Sequence, residues 1–169
     1  MKFAAHICIL AFLLLVLMLT STACPSGIAY APGYPGKEKL DKKLLGTWVA
    51  QESEAEIQKV SITQRDDYSY LVEILEVSEN FMADDKSYTS WVTVVGDQKL
   101  LYSKAEEANE YFTYQYEMPD KATLIIHDIS LLVNGVDGIY STEDFRQEID
   151  ASLKLPDCLT SPFTYSRAE

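Results

Sequence analysis

Lys42-Lys43-Leu44-Leu45-Gly46-Thr47-Trp48-Val49 is the stretch on which the reading of this chain turns. Leu40 and Leu44, four residues apart, predict a short helical turn that delivers Gly46 into a first strand over Thr47 to Gln51. Strand-like runs at hairpin spacing follow. Ile57 to Gln64 alternates, with Val60 and Ile62 on one face and Lys59, Ser61 and Thr63 on the other. After the turn Arg65-Asp66-Asp67, Tyr68 to Glu76 carries apolar residues on both faces, as a strand covered on both sides would.

The pattern continues past a polar loop, Ser78 to Lys86, built around Phe81-Met82. Tyr88 to Val95, containing Trp91, turns at Gly96-Asp97 into Lys99 to Ser103. Lys104 to Glu110 is an acidic, helix-compatible loop. Tyr111 to Met118 alternates again, and Pro119-Asp120 turns it into Ala122 to Asp128, with a brief continuation over Ile129 to Val133. Asn134-Gly135 and Asp137-Gly138 read as tight turns. The period then changes. Ser141-Thr142-Glu143-Asp144 is a helix start, and Phe145, Ile149 and Leu153 form one apolar stripe on a helix of about three turns that Pro156 ends. A short last strand, Phe163 to Tyr165, is followed by Arg167. The expected fold is mostly β. About eight strands form an antiparallel up-and-down barrel or a strongly curved sheet, with one helix near the C-terminus.

Upstream, Lys2 precedes an almost wholly apolar run to Leu19, which breaks into Thr20-Ser21-Thr22-Ala23 and ends at Cys24. This is the form of a secretion signal over residues 1–23. The Ser-Thr-Ala-Cys ending resembles the bacterial lipobox, which implies that Cys24 becomes a lipid-modified N-terminus; Ser21 stands where that motif prefers Leu, and the alternative is cleavage at Ala23 by the ordinary signal peptidase. Multiple acyl chains, at about 0.8 kcal/mol per buried CH₂, give stable anchoring. Residues 24–39 are rich in Pro, Gly and Tyr and read as a spacer between membrane and a single β-rich domain over 40–169. Pro25 after the cysteine lacks the Asp that retains lipoproteins at an inner membrane. The expected address is therefore the outer membrane of a two-membrane envelope. With Cys8 in the signal and Cys24 spent on lipid, Cys158 has no intramolecular partner and reads as a small apolar filler.

The precursor carries 14 basic and 26 acidic residues. An acidic surface of that kind argues against nucleic acid, whose binding depends on Lys and Arg neutralising phosphates. It equally disfavours charge-driven adhesion to anionic headgroups.

A short helix, then Gly46-Thr47-Trp48 opening the first strand, then a late helix and a last strand, resembles the lipocalin order of elements. That resemblance implies a barrel in which an Arg near the last strand packs over the Trp. Arg167 matches that position, making Gly46, Trp48 and Arg167 the expected structural trio. The layout is also similar to that of small bacterial lipoproteins of uncharacterised role.

Little points to catalysis. His127 and Asp128 are adjacent in a strand, so they face opposite sides and form no dyad. There is no Gly-x-Ser-x-Gly elbow, no zinc-type Cys/His cluster and no EF-hand spacing. No metal or other cofactor is expected. The aromatic residues are the most suggestive feature. Tyr70, Trp91, Tyr114 and Tyr116 would line an apolar pocket if the barrel is open, and would fill the core if it is closed. The expected function is a lipid-anchored, non-catalytic binding or interaction module of the cell envelope. Its partners are the membrane and an envelope protein or a small apolar ligand. The alternatives are a carrier whose continuous cavity is lined by Trp91, Tyr114 and Tyr116, and an inhibitor of an exported basic hydrolase acting through Asp84-Asp85 or Glu106-Glu107.

Overall fold

Period-2 alternation becomes a barrel in the computed structural model, which describes residues 27–79, 81–83 and 86–168. The expected signal, Cys24, Asp84 and Asp85 lie outside those residues. The strands are β1 (Gly46–Ala50), β2 (Ile57–Gln64), β3 (Tyr70–Val77), β4 (Ser87–Val95), β5 (Gln98–Ala105), β6 (Phe112–Glu117), β7 (Thr123–Ile129) and β8 (Leu159–Arg167). Each pairs antiparallel with the next, and β8 returns to β1 through Trp48 opposite Arg167 and Val49 opposite Ser166. Closure removes both sheet edges and decides between barrel and curved sheet. The helix, α1 (Thr142–Ser152), lies between β7 and β8.

Boundaries move where side chains capture backbone groups. β3 starts at Tyr70 rather than Tyr68 because the Asp66 carboxylate accepts the amides of Tyr68 and Ser69, both at 2.7 Å. β7 ends at Ile129, and the expected continuation to Val133 is absent. The amide of Leu132 donates to Ser152 Oγ and those of Val133, Asn134 and Gly135 to Glu148, so none is left for a ladder. β8 is longer than expected and runs through Pro162. The proline is tolerated because β1 pairs with β8 only over residues 165–167, and β7 is irregular opposite it, between Ile126 and Asp128.

One end of the barrel is plugged. Leu44, in a 3₁₀ turn over Lys42–Leu44, is wholly buried and packs with Trp48, Ile62, Tyr70, Val92, Leu101, Tyr116, Leu124 and Tyr165. Asp41 ties the plug down. Its amide donates to Tyr70 Oη at 2.7 Å, and its carboxylate accepts from Lys99 at 3.0 Å and Tyr116 Oη at 3.3 Å.

α1 packs outside the barrel. Phe145 and Ile149 meet Val95 and Leu100, with Leu153 alongside, as the stripe predicts. Its cap is Ser141, whose Oγ accepts the Asp144 amide at 3.1 Å. The expected spacer over 24–39 is, from Gly27 onward, a strap on the same outer wall. Ile28 and Tyr111 exchange backbone hydrogen bonds, Ala31, Pro32 and Gly33 are buried, and Arg146 donates to Pro32 O at 2.7 Å. Gly33 is required there: a Cβ would come within 2.8 Å of Thr93 Cβ and 2.9 Å of the Tyr102 ring.

Candidate functional site

Eight strands leave two places for aromatic side chains, the barrel interior and the wall beneath strap and helix. Cross-strand register sorts them. Trp48 faces Val60, which faces Ile74, while Tyr70 faces Ser90 and Ser90 faces Ser103. Tyr114 faces Leu101 and Asp128, and Tyr116 faces Ile126. All of these point inward, since members of a pair share a face.

The four expected ligand-lining residues therefore separate into three groups. Tyr70 and Tyr116 belong to the plugged end, 0% and 3% exposed, their hydroxyls engaged with Asp41. Tyr114 lies in the opposite half. Trp91 pairs with Tyr102 on the outer face, its ring stacked 5.6 Å from that of Tyr102 and tilted 6.4 Å from that of Tyr111. It borders an outer groove of about 340 Å³ with Arg65, Thr89 and Lys104. A continuous cavity lined by Trp91, Tyr114 and Tyr116 is thus corrected: the sheet separates the first from the second, and filled core holds the third.

The half of the interior away from the plug differs in character. Val60, Val72, Ile74, Tyr88, Phe112, Tyr114, Ile126 and Phe163 face inward there and are only half-buried. The Tyr88 and Phe112 rings meet edge to face at 6.3 Å. Ser90 and Ser103, both buried, share a hydrogen bond at 2.7 Å on the same inner face, Ser90 opposite Tyr70. The half-buried aromatic and aliphatic side chains of the unplugged end are the bowl.

Two ionisable groups stand in the bowl. Burial pushes the Tyr114 phenol up, with Asp128, Tyr88, Tyr165 and Glu56 adding to the effect, so it stays neutral at physiological pH. Burial likewise raises the Asp128 carboxyl above its ordinary 3.8, and nearby His127 offsets this in part. Around the lip, Glu52, Glu54 and Glu56 follow β1, Glu76 and Glu79 end β3 and follow it, and Glu106, Glu107 and Glu110 follow β5.

His127 is on the outer face, opposite Gln115, with Nε2 4.0 Å from Glu117 Oε1. It is on the other side of the sheet from Asp128, as adjacency requires. Cys158 is buried, donates to Ser130 O at 3.4 Å, and has its thiol pKa raised by that burial, which makes it a poor nucleophile. Among the described residues there is no cluster of three or more metal-ligating side chains.

Sequence reading missed Tyr88, Phe163 and Asp128 as bowl residues. Alternation over 111–118 already sets Phe112 on the face of Tyr114 and Tyr116, but nothing local says that Tyr88 faces in while Trp91 faces out. Comparison with known proteins finds no matching family, no similar curated protein and no similar solved structure.

Proposed function

We propose that this protein is a lipid-anchored, non-catalytic binding module of the bacterial cell envelope, and that the open half of its barrel takes the apolar part of its ligand. One observation carries the binding site. Inward side chains at the plugged end, such as Leu44, Trp48 and Tyr70, are 0% exposed, whereas Tyr88, Phe112, Tyr114 and Phe163 at the other end keep part of their surface accessible. Apolar surface left open on one side of a well-packed core is where a ligand gains most from burial, at about 25 cal/mol per Å². The lipid anchor rests on the Cys24 motif, and the lipocalin-like order of elements supports the same reading. The acidic lip and Asp128 select a ligand whose polar end is neutral or cationic.

The test is native mass spectrometry on residues 25–169, purified without detergent, before and after organic extraction. The expected result is an added mass that extraction removes and that Tyr114→Ala reduces at least tenfold in occupancy. A clean apo mass together with no uptake of a neutral fluorescent apolar probe overturns the bowl as a binding site.

A further inference from the structure

On the outer wall, the loop from Leu131 to Tyr140 is more tightly held than its surface position requires. The Glu148 carboxylate, 3% exposed, accepts the amides of Val133 (2.9 Å), Asn134 (3.0 Å) and Gly135 (3.3 Å) and the Asn134 side chain (3.0 Å). Ser152, also buried, accepts the Leu132 amide at 2.9 Å and donates to Glu148 at 3.2 Å. Four successive amides thus point inward to one buried acid–hydroxyl pair. Leu131 and Ile139 anchor the two ends in the apolar cluster under α1. Between these anchors Leu132 is 44% exposed and Val133 and Val136 49%, and just beyond Ile139 Tyr140 is 74% exposed. Scattered apolar residues on a surface need no explanation, but four within nine residues on a backbone fixed from below form a patch.

We propose that this ridge is a docking surface for a protein partner with a concave apolar cleft rimmed by Lys and Arg. Rigidity argues for insertion, since a loop already held in one conformation gives up little entropy on binding. Charge argues for the rim. Asp137, Glu143 and Asp144 flank the ridge and outnumber the cations of this region, Arg146, held under the strap by Pro32 O and Val94 O, and Lys154, paired with Asp150. Glu143 and Asp144 accept only neutral donors, Tyr34 Oη and Ser141 Oγ, and keep their charge. The same acidity opposes an anionic bilayer. The ridge lies outside the barrel and is independent of the bowl.

The full-length protein carrying a photo-crosslinking residue at Val136 is irradiated in its own cells, with Leu75, exposed on β3, as the control position. The adducted protein is identified by mass and purified. The proposal expects an adduct specific to Val136 and direct binding of the purified partner to the wild-type chain. The Kd should rise at least tenfold between low and high salt, and at least tenfold again with Val133→Ser and Val136→Ser combined. The double variant must retain the wild-type unfolding midpoint and the wild-type mass spectrum before and after extraction, whether or not that spectrum shows a ligand, which separates this test from that of the bowl. An adduct also seen at Leu75, one with a second copy or with lipid, or binding indifferent to salt and to the serine pair, overturns it.

Discussion

Arg167 is held on several sides at once. Its guanidinium carbon lies 4.3 Å from the centroid of the Trp48 ring, while its nitrogens donate to the carbonyls of Lys43 (2.7 Å), Lys121 (2.8 Å) and Leu45. Trp48 Nε1 in turn donates to Leu44 O at 2.8 Å, so the pair fastens the plug to both β1 and β8. Gly46 completes the arrangement, because its φ of 141° disfavours other residues and a Cβ would collide with the guanidinium. Planarity is what matters: a fork of donors can reach three carbonyls and still stack, and an ammonium cannot. Arg167→Lys should therefore lose nearly as much as Arg167→Ala, about 2 kcal/mol, from the loss of charge-assisted hydrogen bonds and the cation–π contact. Urea unfolding at neutral pH checks this. Two lowered midpoints with unchanged slopes are expected, and a lysine variant equal to wild type would mean that charge alone suffices.

At the scale of elements, α1 does two jobs, closing the outer wall with Phe145 and Ile149 and organising the loop before it with Glu148. Burial pushes the Glu148 carboxyl up, but the amides of Val133, Asn134 and Gly135 and the Asn134 side chain outweigh that and hold it below its ordinary 4.5. A carboxyl whose pKa is lower folded than unfolded adds stability above the unfolded value. That stability is lost as pH falls through the folded one. Asp41, held below 3.8 by Lys99 and the Lys43 amide against the upward push of burial, acts in the same direction at the plug. Glu148→Gln should accordingly destabilise the protein at pH 7 by about 1–3 kcal/mol, flatten the loss of stability below pH 4.5, and speed hydrogen exchange at residues 132–135. An acid profile parallel to that of wild type would show that Glu148 does not titrate with folding. The strands themselves were legible because one face of each is wet or differs in size from the other. β4 was legible as a strand but its facing was not, since strap and helix bury Thr93 and Val95 outside while the interior buries Ser90 and Val92. With both faces covered, alternation loses its sign, and Trp91 read as interior. The strap was hidden for a different reason: Pro and Gly exclude helix and strand, but they do not exclude docking, and Gly33 docks because it has no side chain.

For the whole molecule, the net charge of −12 is unevenly placed. Around the plug, Lys37, Lys39, Lys42, Lys43, Lys99, Lys121 and Arg167 nearly offset the carboxylates there, so the excess falls on the open lip and the α1 side. Composition states the total, and only the order of strands tells which end carries it. Asp128 is one consequence, an inward-facing but exposed carboxyl opposite Tyr114, which read from sequence only as the neighbour of His127. Its raised pKa gives the opposite sign to that of Glu148. The folded state favours the protonated acid, so ionisation costs stability as pH rises through the raised value. Asp128→Asn should then leave the fold at neutral pH as stable as wild type or more so. If the bowl receives a cationic amphiphile, the same change should weaken its binding. Affinity for a long-chain alkylammonium should exceed that for the alkyl sulfate of equal length by at least tenfold at low ionic strength, rise with pH through the Asp128 titration, and lose most of that rise in Asp128→Asn. Isothermal titration over pH 3–7 measures all three. Equal affinity for the two headgroups would place the ligand's polar end away from Asp128, and a destabilised asparagine variant would make this carboxylate a structural acid rather than one held for a ligand.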